Sequence, residues 1–501
     1  MSKKMLLTSS EHEIRLAVME DSEVVELYFS RKGSKSILGN IYLGKVQNII
    51  PGLGAAFIDI GEVRNAFLYI DEVFIQKDDD LDVALESTKK IQNVLKPGQQ
   101  IVVQVIKEPI RSKGARLTTF ISIPGRFLVL MPYSRGVGIS KKLEPKERDR
   151  LRGIANRIKK QDVGIIVRTA ARLADEQLLS RDLKYLLKVW AGIERKMLIT
   201  WGPKLIYREL DLVEKALRDI YSLEFDDIMV DSKYLANRVL SFLKRISALD
   251  SSRVTIYSGI TPLFEKFGVE DAIHEALQRK VKLKSGGYLI IDHTEALTSI
   301  DVNTGKFIGK TELEETILKT NLEACREIVR QLRLRDTGGL IVVDFIDMER
   351  KASREKVLKS FLENLKKDQT RSQVVEISKL GLIEMTRKGT SDGIIGALCN
   401  VCPNCGGTGY VISNETAILN VQKKMRDMIK SVKEEAFVFG LSELTYSILT
   451  SRKRRFIRLL EKGFKVNIFL TVDSSLKVDE LILVFKGTFS QAKVLASGHR
   501  V

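Results

Sequence analysis

Cysteine and histidine are both scarce in this chain, with four of each in 501 residues. Three of the cysteines fall within one stretch, "LCNVCPNCGGTG", Leu398 to Gly409. So few thiols, clustered in this way, exclude a disulfide-stapled secreted fold and point to a reducing compartment where thiolates bind metal. The histidines, His12, His274, His293 and His499, are scattered and suggest no pair, which argues against histidine-driven phosphodiester chemistry. Long apolar runs are missing too: none approaches the ~20 residues of a spanning helix. The opening "MSKKMLLTSS" holds only a short apolar run and lacks the core of a secretory signal. These absences predict a cytoplasmic chain with no transmembrane segment. Acidic residues are in deficit, 64 against 82 Lys and Arg, leaving a net charge of +18. Because the basic residues are spread along the chain and not gathered on one amphipathic helix, the expected polyanionic partner is nucleic acid and not a membrane surface.

What is present is apolar material, 44% of residues, ample for several domains. From Ile41 to Ile123 short alternating runs such as "NAFLYI", "QQIVVQVIKE" and "ARLTTFISI" predict a small antiparallel barrel. The acidic "QKDDDLD" within it reads as an inserted, solvated loop. Next come the strand "RFLVLMP", a basic region through "SKKLEPKERDRLRG", the strand "VGIIVRT" and the helix-like "AARLADEQLLSRDLKYLLKVWAGI". In that helix Leu179, Leu183, Leu186 and Trp190 recur at helical spacing and mark a core. Helices are expected from Pro203 to Val281, broken by "DIMVDS". From Gly287, "YLIIDH", "LTSIDVN" and "GGLIVVDFIDM" read as strands of an α/β domain with long helices between and after the last two. Beyond the cysteines we expect a helix from about Glu415 to Val432 and a small α+β tail containing "FKVNIFLTVD" and "DELILVF".

Asp301 and Asn303 are two positions apart in a predicted strand, so their side chains share a face. Asp344 interrupts one of the most apolar strands, and a carboxylate there is costly unless paired, hydrogen-bonded or bound to metal. Two carboxylates from neighbouring strands, with an amide beside one, are hard oxygen donors suited to Mg²⁺. Such an ion activates water and stabilises charge on a phosphodiester. The plainer reading, strand caps or partners of arginine, stays open on spacing alone. Asp347 would face the other way in a continuing strand and is the weaker candidate. Phe57, Phe67 and Tyr69 fall out of phase with Ile58, Leu68 and Ile70, so they face outward if the aliphatic set lines the core. There they form either a platform for stacking bases or a second, smaller core. Arg168 and Thr169 stand where a strand meets a helix N-terminus, which favours an anion; alternatively Thr169 is a cap and Arg168 a surface charge. Cys325 lies on a predicted helix with Ile328, Val329 and Leu332 and reads as core.

The run "IDVNTGKF", followed by "NLEACREIVRQLRLRDTGGLIVVDFIDM", "LGLIEMTRK" and "LCNVCPNCGGTG", resembles the ribonuclease E/G family of bacterial endoribonucleases. In length and layout the chain is similar to the shorter, G-type members. The resemblance implies a multidomain α/β and α+β architecture. An OB-fold RNA-binding barrel (40–122) is inserted in an RNase H-like subdomain (1–39 with 213–280). A 5′-phosphate sensor region (123–212), a DNase I-like catalytic subdomain (281–398), a zinc link (399–412) and a small α+β oligomerisation domain (413–501) follow. It implies that Asp301 and Asp344 coordinate a catalytic Mg²⁺ while Asn303 positions the scissile phosphate. Gly125, Val129, Lys141, Arg168 and Thr169 would sense a 5′-monophosphate; the family commonly has Arg where Lys141 supplies only a point charge. Phe57, Phe67, Lys107 and Lys113 would hold RNA. Cys402 and Cys405 would form half of a structural Zn²⁺ site completed by a second subunit, leaving Cys399 without a role, with a three-cysteine site in one chain as the alternative. The implied activity is Mg²⁺-dependent cleavage of single-stranded RNA to 5′-phosphate and 3′-hydroxyl ends, preferring 5′-monophosphorylated substrates. It would serve rRNA and tRNA processing and mRNA decay, as a homodimer or homotetramer. The alternative function is a non-catalytic, zinc-linked RNA-binding factor, which would have no use for Asp301, Asn303 and Asp344.

Overall fold

The computed structural model describes residues 2–31, 33, 36–74, 90–109, 114–160, 162–222, 224–246, 251–305, 313–378, 381–389 and 393–498. The "QKDDDLD" loop and Lys113 lie outside the described residues. The chain divides into two compact units, residues 1–399 and 400–501.

The first unit opens with three antiparallel strands, β1 (Lys3–Ser9), β2 (Glu13–Glu20) and β3 (Glu23–Arg31). Asp21 and Ser22, with φ of 46° and 69°, make the tight turn between β2 and β3. Both faces of β1 are covered: Met5 and Leu7 enter one core and Leu6 another. The barrel follows, made of β4 (Ile41–Ile50), β5 (Ala55–Asp59), β6 (Ala66–Tyr69), β7 (Gln100–Lys107) and β8 (Arg116–Thr118). Its ring order is β4-β5-β6-β8-β7, closed by pairing of β4 with β7. The expectation of a wholly antiparallel barrel is corrected here, because β6 and β8 run parallel with Phe67 opposite Arg116. Strand direction cannot alternate all the way round an odd ring, so one parallel pair is unavoidable.

Next, β9 (Ile123–Pro124), β10 (Leu128–Met131), β11 (Val137–Ile139) and β12 (Gly164–Val167) form a small sheet in the order β11-β12-β10-β9. The region read as merely basic is a helix, Pro145–Ile158, with Pro145 in its first turn and Leu151, Ile154 and Ala155 buried. The long helix Glu176–Ile199 is capped by Asp175 and buries Leu179, Leu183, Leu186 and Trp190, as their spacing predicts. β13 (Lys204–Tyr207) returns to pair with β4. After the helix Leu212–Asp219, β14 (Asp227–Val230) lies parallel to β1, and after the helix Lys233–Ile246, β15 (Val254–Ile256) completes the first sheet in the order β15-β14-β1-β2-β3. Everything between β3 and β14 is therefore looped out of that sheet.

The third sheet contains β16 (Lys280–Lys282), β17 (Tyr288–His293), β18 (Leu297–Asn303), β19 (Gly339–Asp344), β20 (Ser372–Ile377) and β21 (Leu382–Arg387), in the order β16-β17-β18-β19-β21-β20. Its outer strands extend it beyond the three expected from the sequence. β18 and β19 are parallel neighbours. The helices Leu313–Leu334 and Lys351–Leu365 cover one face, burying Ile300, Val302, Ile341, Val343 and, as anticipated, Cys325. Arg333, on the first of these helices, binds Glu20 at 2.9 Å and Glu26 at 2.8 Å, and Arg330 binds Glu275 at 2.7 Å. The Arg333 pairs fasten the third sheet to the first.

In the second unit a helix, Asn414–Lys430, precedes β22 (Ala436–Leu441), and the helix Glu443–Phe464 leads to β23 (Asn467–Val472), β24 (Leu481–Gly487) and the helix Phe489–Gly498. The sheet order is β23-β22-β24. Its central strand is one the sequence reading did not separate out, although all six of its residues are buried. No helix among the described residues is long and apolar enough to cross a membrane.

Candidate active site

Burial alternates along β18, so with Ile300 and Val302 in the core, Asp301 and Asn303 face away from the helices. β19 repeats the pattern: Ile341 and Val343 are buried and Asp344 is exposed at the strand end. In the parallel register Asp301 stands opposite Asp344. Asn303 Nδ2 donates to Asp301 Oδ2 at 2.8 Å, fixing that carboxylate's rotation. The strand whose continuation would turn Asp347 the other way does not continue, because β19 stops at Asp344. The segment just beyond it is held by buried Asn321, whose Nδ2 donates to Ile346 O at 2.8 Å and whose Oδ1 accepts from Ile346 N at 3.1 Å. The Asp344 carboxyl is pushed above its ordinary range, first by partial burial and then by the negative charges of Asp301 and Asp347. Asn321 escaped the sequence reading, yet its signal was present: an amide sharing a helical face with Cys325 and Ile328.

Like charges held together in this way fit a divalent cation, which relieves their repulsion. Mg²⁺ commonly takes one or two protein carboxylates and keeps waters or phosphate oxygens in its remaining positions. The donor set of Asp301 and Asp344 suits it. Among the described residues no group of three or more His, Cys, Asp or Glu side chains is arranged to hold a metal ion. His293 is occupied structurally, with Nδ1 2.9 Å from Thr298 Oγ1, and burial followed by the Arg335 charge lowers its affinity for a proton.

A second cluster gathers at the β9–β10 turn and the end of β12. Asp182, only 3% exposed, accepts hydrogen bonds from the backbone N–H groups of Arg126, Phe127 and Leu128 at 3.3, 2.8 and 2.9 Å. A Cβ on Gly125 would stand 2.6 Å from its Oδ2, so glycine is required there. Val129, half-buried, is paired with Pro124 and Ile166. Arg168 Nη1 donates to Gly125 O at 2.6 Å and to Asp219 Oδ1 at 2.7 Å. Thr169 Oγ1 lies 2.9 Å from Ser140 Oγ, beside the exposed Lys141. The helix N-terminus expected at Thr169 is not there. Thr169–Ala171 is a single 3-10 turn without a side-chain cap, Leu173 has φ of 64°, and the long helix begins only at Glu176. An anion at this place would be met by side chains and not by a helix dipole.

On the barrel, Ile58 and Leu68 are buried while Phe57 and Phe67 sit half-buried on the opposite face. Their ring centroids are 5.1 Å apart, and Tyr69 continues the row 4.7 Å from Phe67. Lys107 is exposed at the end of β7, opposite Arg116. In the second unit, Cys402 and Cys405 share one turn, closed by bonds from Gly406 N to Cys402 O and Thr408 N to Cys405 O. The N–H groups of Gly409 and Gly407, then the Cys402 thiol, pull the Cys405 thiol below its usual range. That favours thiolate, the form that binds zinc. A pair of cysteine ligands is half of a tetrahedral site.

Residues 122–390, more than half of the chain, match the model of the Ribonuclease E/G family. The chain belongs to the ribonuclease E/G family. Residues 401–484 match the thioredoxin-like domain of RNase E/G. Ribonuclease G of Escherichia coli (strain K12) is 40% identical over 431 residues, covering 85% of this chain and 88% of that protein. Ribonuclease G of Haemophilus influenzae is 39% identical over 439 residues, 87% of this chain and 89% of that protein. Ribonuclease E of Nostoc sp. is 40% identical over 415 residues, 82% of this chain but 59% of that protein. Membership of the ribonuclease E/G family makes the chain an endoribonuclease.

Proposed function

We propose that this endoribonuclease cuts single-stranded RNA using Mg²⁺ held between Asp301 and Asp344, prefers substrates that begin with a 5′-monophosphate, and leaves 5′-phosphate and 3′-hydroxyl ends. The observation that carries the proposal is the in-register pairing of Asp301 with Asp344 on the open face of the third sheet, in a protein of net charge +18. The bound ion would supply an activated water and neutralise charge at the scissile phosphate. Asp301 and Asp344 orient the ion, and Asn303, tied to Asp301, steadies the phosphate through its amide. Phe57 and Phe67 stack on bases, and Lys107 and Lys113 meet backbone phosphates. Gly125, Val129, Lys141, Arg168 and Thr169 form the site for the 5′-phosphate.

In this reading the first sheet with its helices is the RNase H-like subdomain, the five-stranded ring the OB-fold barrel and the third sheet the DNase I-like catalytic subdomain. Cys402 and Cys405, with the same pair from a second copy, hold a structural Zn²⁺, making the working form a homodimer or a dimer of dimers. The substrates are rRNA and tRNA precursors and mRNA, in the cytoplasm. The test is cleavage of one RNA bearing either a 5′-monophosphate or a 5′-triphosphate, by native protein and by Asp301→Asn, with Mg²⁺ present. Native protein should cut the monophosphate faster, and the variant should not cut. Equal native rates on both RNAs would remove the end preference, and undiminished cutting by Asp301→Asn would remove the metal assignment.

A further inference from the structure

The guanidinium proposed for the 5′-phosphate is already engaged. One nitrogen of Arg168, Nη1, serves both Gly125 O at 2.6 Å and Asp219 Oδ1 at 2.7 Å. Asp219 is held from its other side by Arg218, from Nε to Oδ1 at 3.1 Å and from Nη2 to Oδ2 at 2.8 Å. Arg218 also donates from Nη1 to Glu209 Oε1 at 2.8 Å and to Pro124 O at 3.3 Å. Two guanidinium groups thus face two carboxylates, and the charge of Arg168 is compensated before any RNA arrives.

We propose that Asp219 is an internal competitor of the 5′-terminal phosphate: it occupies Arg168 until a phosphate monoester displaces it, and so sets how strongly this chain discriminates between RNA ends. The proposal rests on the reading that Arg168 belongs to the 5′-phosphate site. The geometry makes the Arg168–Asp219 contact the breakable one. When a phosphate takes the place of Asp219 on Arg168, Asp219 keeps both bonds to Arg218, so no charge is stranded. Arg168 keeps its bond to Gly125 O and does not swing away. The side chains of Arg218 and Glu209 are 7% and 6% exposed, whereas those of Arg168 and Asp219 are 26% and 34% exposed, so the outer pair is the one an incoming ligand reaches. Burial opposes the charge of Asp219, but Arg218 and then Arg168 hold its carboxyl below the usual range, and it remains an anion at neutral pH. A phosphate monoester presents more charge and more acceptor oxygens than one carboxylate oxygen and can exchange with it. A 5′-hydroxyl cannot.

The test compares kcat/KM on one RNA bearing a 5′-monophosphate or a 5′-hydroxyl. It uses full-length native protein, Asp219→Asn, Asp219→Glu, Arg168→Ala and the Asp219→Asn/Arg168→Ala double variant, each checked for a native-like melting transition. Asp219→Asn should raise the monophosphate-to-hydroxyl ratio several-fold, mainly by lowering KM on the monophosphate. Asp219→Glu, which keeps the charge, should retain the native ratio, and the double variant should lose the gain. If Arg168→Ala removes a native preference but Asp219→Asn leaves the ratio unchanged or lowers it, Asp219 positions Arg168 without competing, and the proposal is overturned with the sensor reading intact. A native preference that survives Arg168→Ala overturns the sensor reading and the proposal with it. A native ratio near one that Asp219→Asn raises supports the proposal, and one that no variant raises overturns both. Where Asp219→Asn does not fold, Asp219→Ser is read by the same criteria.

Discussion

Exchanging one carboxyl oxygen of Asp301 or Asp344 for an amide nitrogen keeps the side chain's shape and removes its charge. Asp301→Asn and Asp344→Asn should abolish cleavage while RNA binding, measured without metal, is unchanged or tighter, because a repulsion of phosphate is gone. Asp347→Asn is expected to act through pH. Asp344 is raised partly by the Asp347 charge, so the variant should move the acid limb of the cleavage rate to lower pH; an unmoved limb would disconnect the two residues. For stability the sign is opposite to that of a salt-bridged carboxylate. With its folded affinity for a proton raised, ionised Asp344 costs stability above that raised range, and the cost vanishes below the ordinary carboxylate range. Strand alternation put Asp301 and Asn303 on one face in the sequence, and Asp344 stood out there as a carboxylate in an apolar strand. The influence of Asp347 on Asp344 was not legible there, since it depends on β19 ending at Asp344. Asp219 was not either, since it meets Arg168 across 51 positions of chain.

At the scale of elements, the β9–β10 turn is built around one buried carboxylate. Gly125→Ala forces a methyl against Asp182 and should cost about 1–3 kcal/mol, typical of overpacking, measured by urea denaturation, together with loss of any 5′-end preference. The joint between the first and third sheets should be still more sensitive. Arg333→Met leaves Glu20 and Glu26, 11% and 14% exposed, short of their main partner, and is expected to cost about 3–5 kcal/mol. Burial raises the Glu20 carboxyl but Arg333 and Lys3 outweigh it, so its folded value lies below the ordinary one. That stabilisation is present above the ordinary carboxylate range and fades as pH falls. Native protein should therefore lose stability in acid more steeply than Arg333→Met does. Helical and strand periodicity revealed the elements that carry clean patterns, Glu176–Ile199 and the strands of Asp301 and Asp344. Pro145–Ile158 stayed hidden because its charges outnumber its three buried residues. The false helix start at Thr169 arose because nothing local announces the left-handed Leu173.

For the whole molecule, two cysteines on a single turn predict stoichiometry. Native protein should carry one zinc per two chains by elemental analysis, and a chelator or Cys402→Ser should convert a dimer to monomers in sedimentation. A monomer that persists with and without chelator would refute this. RNA affinity should fall steeply with salt, as expected when lysines displace counterions from backbone phosphates.

The first sheet also has a consequence for synthesis. Thr8 on β1 is hydrogen-bonded to Asp231 just beyond β14, 223 positions later in the chain. At typical translation rates that interval lasts on the order of ten seconds or more. During it the first three strands leave the ribosome with the β1 edge unpaired, a template for pairing with the wrong strand, while the barrel and the β9–β12 sheet can close first. A nascent chain halted before Asp227 should therefore protect the barrel from protease while its first thirty or so residues remain digestible, a clock set by where a strand's partner is encoded.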